Sequence, residues 1–188
     1  MVPSGLGLGL GQDADPAQAG IQTTVLVETE LSVGQVALTD GGKTLATVVP
    51  QGGVANTLVT LSDGAVQLQA ICTDSTTGAE SKSNKMMLLV DSVPPQAPIG
   101  LLCQQLPSTG DVQCEWGGAL GAAQYLLSHT DASGVTQQQP PILAGPPGTS
   151  SSAMIYRLAP GSYTVFVVAL DQVYNQGPPA VTTVVVGP

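Results

Sequence analysis

The chain carries very little positive charge. Only four of its 188 residues are Lys or Arg, against 13 Asp and Glu, and the formal net charge is −9. Proteins that bind nucleic acid neutralise phosphates with Lys and Arg, and anionic membrane surfaces attract the same side chains. The composition therefore argues against nucleic-acid and membrane-surface partners, and we expect other protein subunits as partners instead.

Long apolar runs are also missing. No stretch approaches the roughly 20 apolar residues of a transmembrane helix, so we expect no membrane insertion. The start, Met1-Val-Pro-Ser-Gly-Leu6, lacks the basic residues and continuous apolar core of a signal peptide. Either the chain begins after cleavage, or the protein is made without export, as a virion protein would be.

Residues for catalysis or metal binding are scarce. His129 is the single histidine, and although Ser128 and Asp131 lie beside it, triad members converge from separate parts of a fold. We therefore expect His129 to be a surface residue at a strand end. Three cysteines without a CxxC pair do not make a standard zinc site. No catalytic constellation is present, so we expect a protein that is not an enzyme and needs no cofactor.

What the chain does contain predicts an all-β fold. It is 43% hydrophobic but only 3% aromatic, rich in Val and Thr, with 23 glycines and 15 prolines. β-Branched residues favour strands, and Gly and Pro mark turns. A Pro-Gly turn in Leu158–Asp171 leads into a strand of alternating residues, and Leu61–Asp74 repeats this pattern. The repeat predicts two tandem β-sandwiches.

Composition also divides the chain. Residues 1–19 are Gly- and Leu-rich, which indicates a flexible leader or an extended arm that lies along a neighbouring subunit. Strand signals separated by explicit turns fill residues 20–92 and 99–188. Three prolines make 93–98 an extended linker. Residues 137–152 are rich in Gln, Pro, Gly and Ser, and we expect a long irregular loop there.

The second set of strands, residues 98–188, resembles a fibronectin type III domain. The resemblance lies in Val112-Gln-Cys-Glu-Trp116 on an early strand and Leu158-Ala-Pro-Gly-Ser-Tyr163 near the end. In that family a tryptophan of the second strand and a tyrosine of the penultimate strand are core landmarks, which Trp116 and Tyr163 match. The Pro-rich segment 137–152 departs from the family pattern.

The first set, residues 20–92, is similar to bacterial immunoglobulin-like domains. It has Leu61-Ser-Asp-Gly64, Thr73-Asp74 at a strand end, and Val90-Asp91 before Pro94. It departs from that family where Gly78-Ala79 replaces the usual Gly-Asn. Both resemblances imply binding, spacing or structural roles in surface proteins and phage particles, and neither implies an enzyme.

Two of the cysteines are placed to face each other. If Leu106 and Asp111 pair as the ends of a hairpin, opposite residues have numbers that sum to 217, as those of Cys103 and Cys114 do. Their Cβ atoms would lie about 4.5–5.5 Å apart, near the separation that a disulfide needs. The alternatives are a disulfide, or two reduced thiols buried beside Trp116. Cys72 is expected to be a small buried residue, or to pair with another chain.

Calcium is a further candidate ligand. Asp63, Asp74 and Asp91 are expected near one end of the first module, although calcium needs six to eight oxygens and these residues supply only a few. The alternative is that these carboxylates cap turns. Asp171 and Asn175 carry the same two interpretations.

One strand face is unusually apolar for an outward surface. Opposite the core face of Tyr163 lie Phe166, Val168 and Leu170, which are the candidate interface residues. Cover for this face would come from the loop 137–152, from the first module or from another subunit.

These observations favour a structural or interaction component of an extracellular or cell-surface assembly, such as an appendage, adhesin or envelope complex. A phage structural or capsid-decoration protein in a virion is the alternative. A second alternative is an accessory carbohydrate-binding module, which predicts exposed aromatic residues that this chain has in small number.

Overall fold

The computed structural model describes residues 6–30, 34–107, 109–146 and 148–188. The chain divides into two compact units, Met1–Val93 and Pro94–Pro188. The described part forms sixteen strands and one 3-10 turn, Leu10–Gln12, without an α-helix. Nothing helical in these ranges has the length and apolarity to cross a membrane. The predicted all-β fold is confirmed.

The first unit has two sheets. Its strands, in chain order, are β1 (Leu6–Leu8), β2 (Ile21–Glu28), β3 (Gly34–Asp40), β4 (Lys43–Val48), β5 (Val54–Leu61), β6 (Gly64–Asp74), β7 (Glu80–Lys82) and β8 (Met86–Val90). The larger sheet has the order β1-β8-β6-β3-β4, with β7 also paired to β6, and the smaller sheet contains only β2 and β5. Alternating apolar residues of both sheets fill the core between them, with Ile21, Leu38, Val59, Leu68 and Val90 all buried.

Part of the predicted N-terminal arm belongs to this unit. Residues 1–5 lie outside the described residues, but β1 pairs in parallel with β8, in the register Leu6 to Leu88 and Leu8 to Val90. The backbone N–H of Asp91 donates to the Leu8 carbonyl at 3.0 Å. These bonds place the described start of the arm at the edge of the larger sheet.

The second unit is also a sandwich of two sheets. Its strands are β9 (Ile99–Gln105), β10 (Val112–Gly117), β11 (Gln124–Asp131), β12 (Thr136–Gln138), β13 (Ile142–Leu143), β14 (Ser150–Ile155), β15 (Gly161–Leu170) and β16 (Ala180–Val186). One sheet has the order β14-β10-β9, and the other has the order β12-β11-β15-β16, with β13 also paired to β11.

The segment 137–152 is only in part the irregular loop that its composition predicts. It contains part of β12, all of β13 and the start of β14. Thr136 and Gln138 pair with Thr130 and Ser128 of β11, so the segment extends the edge of the second sheet. The short strands were missed because three or two residues between prolines and glycines give too little alternation to detect.

The predicted linker 93–98 is mostly contained in the second unit, since the division falls between Val93 and Pro94. Pro95 and Pro98 are buried, and the backbone N–H of Gln96 donates to the Leu120 carbonyl at 3.0 Å. A side chain at Gly177 would come within 2.3 Å of the Pro95 carbonyl oxygen, so this position requires glycine.

Candidate interaction surface

Aromatic contacts fix the core behind the candidate surface. The Trp116 and Tyr125 rings meet edge to face with their centroids 5.5 Å apart, and the Tyr125 hydroxyl accepts a hydrogen bond from the Ala119 N–H at 2.8 Å. The Tyr163 hydroxyl donates to the Ala159 carbonyl at 2.9 Å. Trp116 of β10 and Tyr125 of β11 thus contact each other across the core between the two sheets.

The predicted disulfide is confirmed. Cys103 on β9 lies directly opposite Cys114 on β10, with the Cα atoms 4.1 Å apart, and the two sulfurs are bonded. Both residues are part of the core of the second unit. The bond joins two neighbouring strands of the β14-β10-β9 sheet. It does not crosslink the other sheet, which carries the candidate surface.

The outer face of the β12-β11-β15-β16 sheet is apolar at its centre. Phe166 lies between Ser128 of β11 and Val181 of β16, and Val168 lies opposite Leu126. Phe166, Val168 and Leu126 are half-buried by one another, while Val181 is 52% exposed. Side chains that are directly opposite across strands touch, so these four residues form one continuous patch.

Two further exposed apolar residues lie on the same face, and one of them, Val185, is separated from Val181 by Thr183. Leu143, on β13, lies opposite Gln124 and is 82% exposed, which places it diagonally from Leu126 on the same face. Val185, near the end of β16, is 71% exposed. We call the six residues Leu126, Leu143, Phe166, Val168, Val181 and Val185 the outer patch. Sequence reasoning missed four of them, although alternation of Val181 and Val185 with polar or buried residues signals an outward face.

Leu170 does not belong to the outer patch. The sequence placed it beside Phe166 and Val168, but it is only 4% exposed. At this end of the strand, Leu170 forms an isolated bridge with Gln176, and its carbonyl accepts a hydrogen bond from the Ala123 N–H at 2.7 Å. The chain therefore folds over Leu170 and removes it from the surface.

Among the described residues, the outward positions of β11, β15 and β16 beside the patch carry no ionisable side chain. The other outward positions on these strands are Gln124, Ser128, Thr130, Ser162, Thr164 and Thr183. An apolar region at the centre of a sheet face gains free energy when another apolar surface covers it. The segment 137–152 lies beside this face rather than over it, since it pairs with the edge of β11.

His129 is a core residue and not the expected surface histidine. It is 2% exposed, and its ring meets that of Tyr163 edge to face at 5.8 Å. Burial lowers the pKa of His129 below its ordinary value of 6.5, while the nearby Asp131 carboxylate opposes this shift. Within the described residues no group bonds to Nδ1 of His129. The inward direction of its strand position, shared with Tyr125 and Leu127, places it there.

Asp171 and Asn175 close the buried turn between β15 and β16. Oδ1 of Asp171 accepts hydrogen bonds from the backbone N–H of Val173 at 2.8 Å and of Asn175 at 2.9 Å. Its Oδ2 accepts from Nδ2 of Asn175 at 2.7 Å. The Asp171 carboxylate therefore caps the turn. Turn capping was one of the two roles that the sequence suggested, and calcium binding was the other.

The calcium candidates do not lie together. Asp63 accepts hydrogen bonds from N and Oγ of Ser92 at 2.7 and 2.9 Å, which places it near Asp91. Asp74 lies at the other end of the eleven-residue β6, about 30 Å away. Backbone N–H groups of Thr77 and Thr76 lower the pKa of Asp74. Across the described ranges no group of three or more acidic, His or Cys side chains is placed to hold a metal ion.

Cys72 is half-buried and carries a free thiol. It packs against Val36, Ala55 and Ala70 in a small core cluster of the first unit. This environment agrees with a small apolar residue on the inner face of β6.

Comparison with solved structures gives a consistent fold. The fibronectin(III)-like modules of Clostridium thermocellum CbhA match with a TM-score of 0.60 and 15% identity, over 97% of this chain and 90% of that chain. The FN1–FN3 domains of chicken CNTN1 match with a TM-score of 0.59 and 14% identity, over 98% of this chain and 63% of that one.

Sequence comparison adds nothing to these likenesses. No family model matches the chain, and no curated protein matches it. The similarity of residues 20–92 to bacterial immunoglobulin-like domains stays a prediction, since the structural matches are to fibronectin type III modules. The chain therefore has a fibronectin type III-like β-sandwich fold.

Proposed function

We propose that the protein is a non-enzymatic structural component of an extracellular or cell-surface assembly, in which the outer patch binds another protein subunit. The observation that carries this proposal is the continuity of Leu126, Phe166, Val168 and Val181 across three strands, with no charged residue opposite them in the described register. Exposed apolar patches on soluble domains usually mark interaction sites, because they cost free energy when left in water.

The disulfide supports an oxidising location. A bond between Cys103 and Cys114 forms and persists outside the cytosol, in secreted or envelope compartments. The fibronectin type III-like fold supports a binding or spacing role, since function on such a fold depends on its surfaces and not on the sandwich itself. Both observations favour an extracellular assembly over a protein that assembles in the cytosol.

Imaging of the native protein tests this proposal. We expect gold-labelled antibody to find the protein in ordered structures at the cell surface. The Val181→Glu variant, which puts a charge into the outer patch, is expected outside the cell but unassembled. The control is Leu102→Glu, an equally exposed apolar residue on the other sheet, which should assemble like the native chain. Native protein found only as free single molecules, or only inside virions, would contradict the proposal.

A further inference from the structure

In the smaller sheet of the first unit, the edge of β2 that faces away from β5 is open over much of its length. In antiparallel pairs, the backbone groups of alternate residues point toward the partner strand and away from it. The Thr29 N–H, just after β2, donates to the Gly53 carbonyl at 2.8 Å. The backbone N–H and C=O groups of odd-numbered residues of β2 therefore point toward β5. Gln22 faces the other way, since its N–H donates to Asp13 Oδ1 at 2.9 Å and its carbonyl accepts from Ala14.

The same backbone direction recurs at every second residue after Gln22. The N–H and C=O groups of Thr24, Leu26 and Glu28 therefore also point away from β5. In the part of the chain that the structure describes, no group bonds to their outward N–H and C=O. Exposed edges are usually blocked by Lys, Pro or a bulge. None of these devices is present here, because β2 reads Ile21-Gln-Thr-Thr-Val-Leu-Val-Glu28 and its register with β5 has no shift.

A groove runs beside this edge. Residues 25–28 of β2 form one wall, residues 83, 84 and 86 form the opposite wall, and Leu38, Leu68 and Ala70 form an apolar floor. Its volume is about 310 Å³. A second cleft of about 440 Å³ shares Val27, Glu28, Ala70 and Ser83 with it, so the groove continues along the strand. The groove therefore lies along the backbone groups of β2 that point away from β5.

We propose that this groove binds an extended peptide segment of another protein, which adds to β2 as an antiparallel strand. Unpaired N–H and C=O groups select a strand as the occupant, because only an extended backbone offers partners at the same spacing. Three outward residues at alternate positions engage a segment of about five residues. This site lies in the first unit and is independent of the outer patch.

The side chains of the bound peptide follow from the geometry. Opposite residues in an antiparallel pair have side chains on the same face, and Leu26 points to solvent with 57% of its surface exposed. Peptide residues bonded to the edge therefore point outward and are polar, and the residues between them enter the apolar groove. Glu28 and Glu30 outnumber Lys82 among the charged residues along the groove, which favours a basic residue at one end of the peptide.

Fluorescence anisotropy with synthetic peptides tests this assignment. The probe is labelled Lys-Thr-Val-Thr-Val-Thr-Lys, which has apolar residues at alternate positions. Two isomers carry N-methyl groups on both valines or on the last two threonines. The threonine amides face β2, whereas the valine amides point away, so we expect binding of the valine-methylated peptide and loss of binding of the threonine-methylated one. Equal binding of both isomers, or no binding of the unmethylated probe, would overturn the proposal.

Two proline variants identify the edge. Leu26→Pro removes one outward N–H without touching the bonds to β5, and we expect roughly tenfold weaker binding. Leu58→Pro is the matched control, since Leu58 is 58% exposed on the same face and its N–H points away from β2. It should bind the probe as the native chain does. Circular dichroism establishes that both variants are folded, and binding unchanged in Leu26→Pro would contradict the assignment.

The occupant is tested separately by sedimentation without peptide. We expect Leu26→Pro to leave the association state of the protein unchanged. If Leu26→Pro instead dissociates an oligomer that Leu58→Pro retains, the occupant is a second copy of this chain, and the proposal of a peptide from another protein is wrong.

Discussion

The Tyr163 hydroxyl donates a hydrogen bond of 2.9 Å to the carbonyl of Ala159, four residues earlier in the chain. The bond ties the turn at Pro160 to the start of β15, the strand that carries Phe166 and Val168. Because the ring of Tyr163 is buried and also contacts His129, the same residue fixes both the turn and the core.

Replacing Tyr163 with Phe should lower the free energy of unfolding of the second unit by about 1 kcal/mol, because the Ala159 carbonyl loses its donor. Urea unfolding followed by Trp116 fluorescence measures this, since the single tryptophan lies in that core. Tyr156→Phe removes a hydroxyl from an exposed tyrosine and should leave the transition unchanged. Equal effects of the two variants would contradict the role of the bond.

Removal of the disulfide should destabilise only the second unit. The bond closes a short loop, with a sequence separation of 11 between Cys103 and Cys114. Loop closure of this size corresponds to roughly 2–3 kcal/mol of stabilisation. The double variant Cys103→Ala/Cys114→Ala should show this loss in Trp116 fluorescence, whereas Cys72→Ala, in the first unit, should show none. No change in the double variant would contradict the assignment.

His129 should make the second unit less stable as the pH falls. Burial lowers its pKa in the folded state below 6.5, so the unfolded chain binds the proton first. Stability is therefore complete above pH 6.5 and decreases as the pH falls through 6.5 toward the folded-state pKa. The measurement compares unfolding of the native chain and His129→Gln at pH 7.5 and 5.5. A pH dependence that survives in the variant unchanged would refute this account.

Asp171 and Asp131 make similar hydrogen bonds but differ in burial. Their replacement should therefore lower the free energy of unfolding by different amounts. Asp171 is 5% exposed and caps the turn after β15 with three hydrogen bonds. Asp131 makes bonds of the same kind to Ser133 and Val135 on the surface. Asp171→Ala should cost about 3 kcal/mol, because it removes three hydrogen bonds in a buried turn. Asp131→Ala should cost clearly less, and equal losses in unfolding experiments would refute this reasoning.

The all-β fold was predictable because the alternation of residues along each strand and the Gly and Pro residues at the turns are visible in the sequence. Ser162–Leu170 alternates over nine residues, and the observed strand, Gly161–Leu170, differs by one residue. The pairing of Cys103 with Cys114 followed from the length of one hairpin loop. Strands of two or three residues, such as Ile142–Leu143, were not predictable, since their existence depends on the edge of β11 that they pair with.

The candidate surface was only partly predictable. Alternation identified Phe166 and Val168, which belong to a long strand, but it placed Leu170 on the same face. Alternation within β15 does not show which residues of neighbouring strands lie beside Phe166 and Val168. Leu126 and Leu143 were therefore identified only from the observed strand register of β11 with β15 and β13. His129 was misplaced because a polar residue in a strand gives no signal that its position faces the core.

The central claim is that the outer patch binds another protein subunit, and we expect a second copy of the chain to occupy it at high concentration. Sedimentation velocity over a concentration series tests this most directly. The native chain should associate with increasing concentration, Phe166→Glu should sediment as an 18.9 kDa monomer throughout, and Leu102→Glu should associate like the native chain. A native chain that remains monomeric at about 1 mM, the Kd of a weak interaction, or unchanged association of Phe166→Glu, would contradict the account.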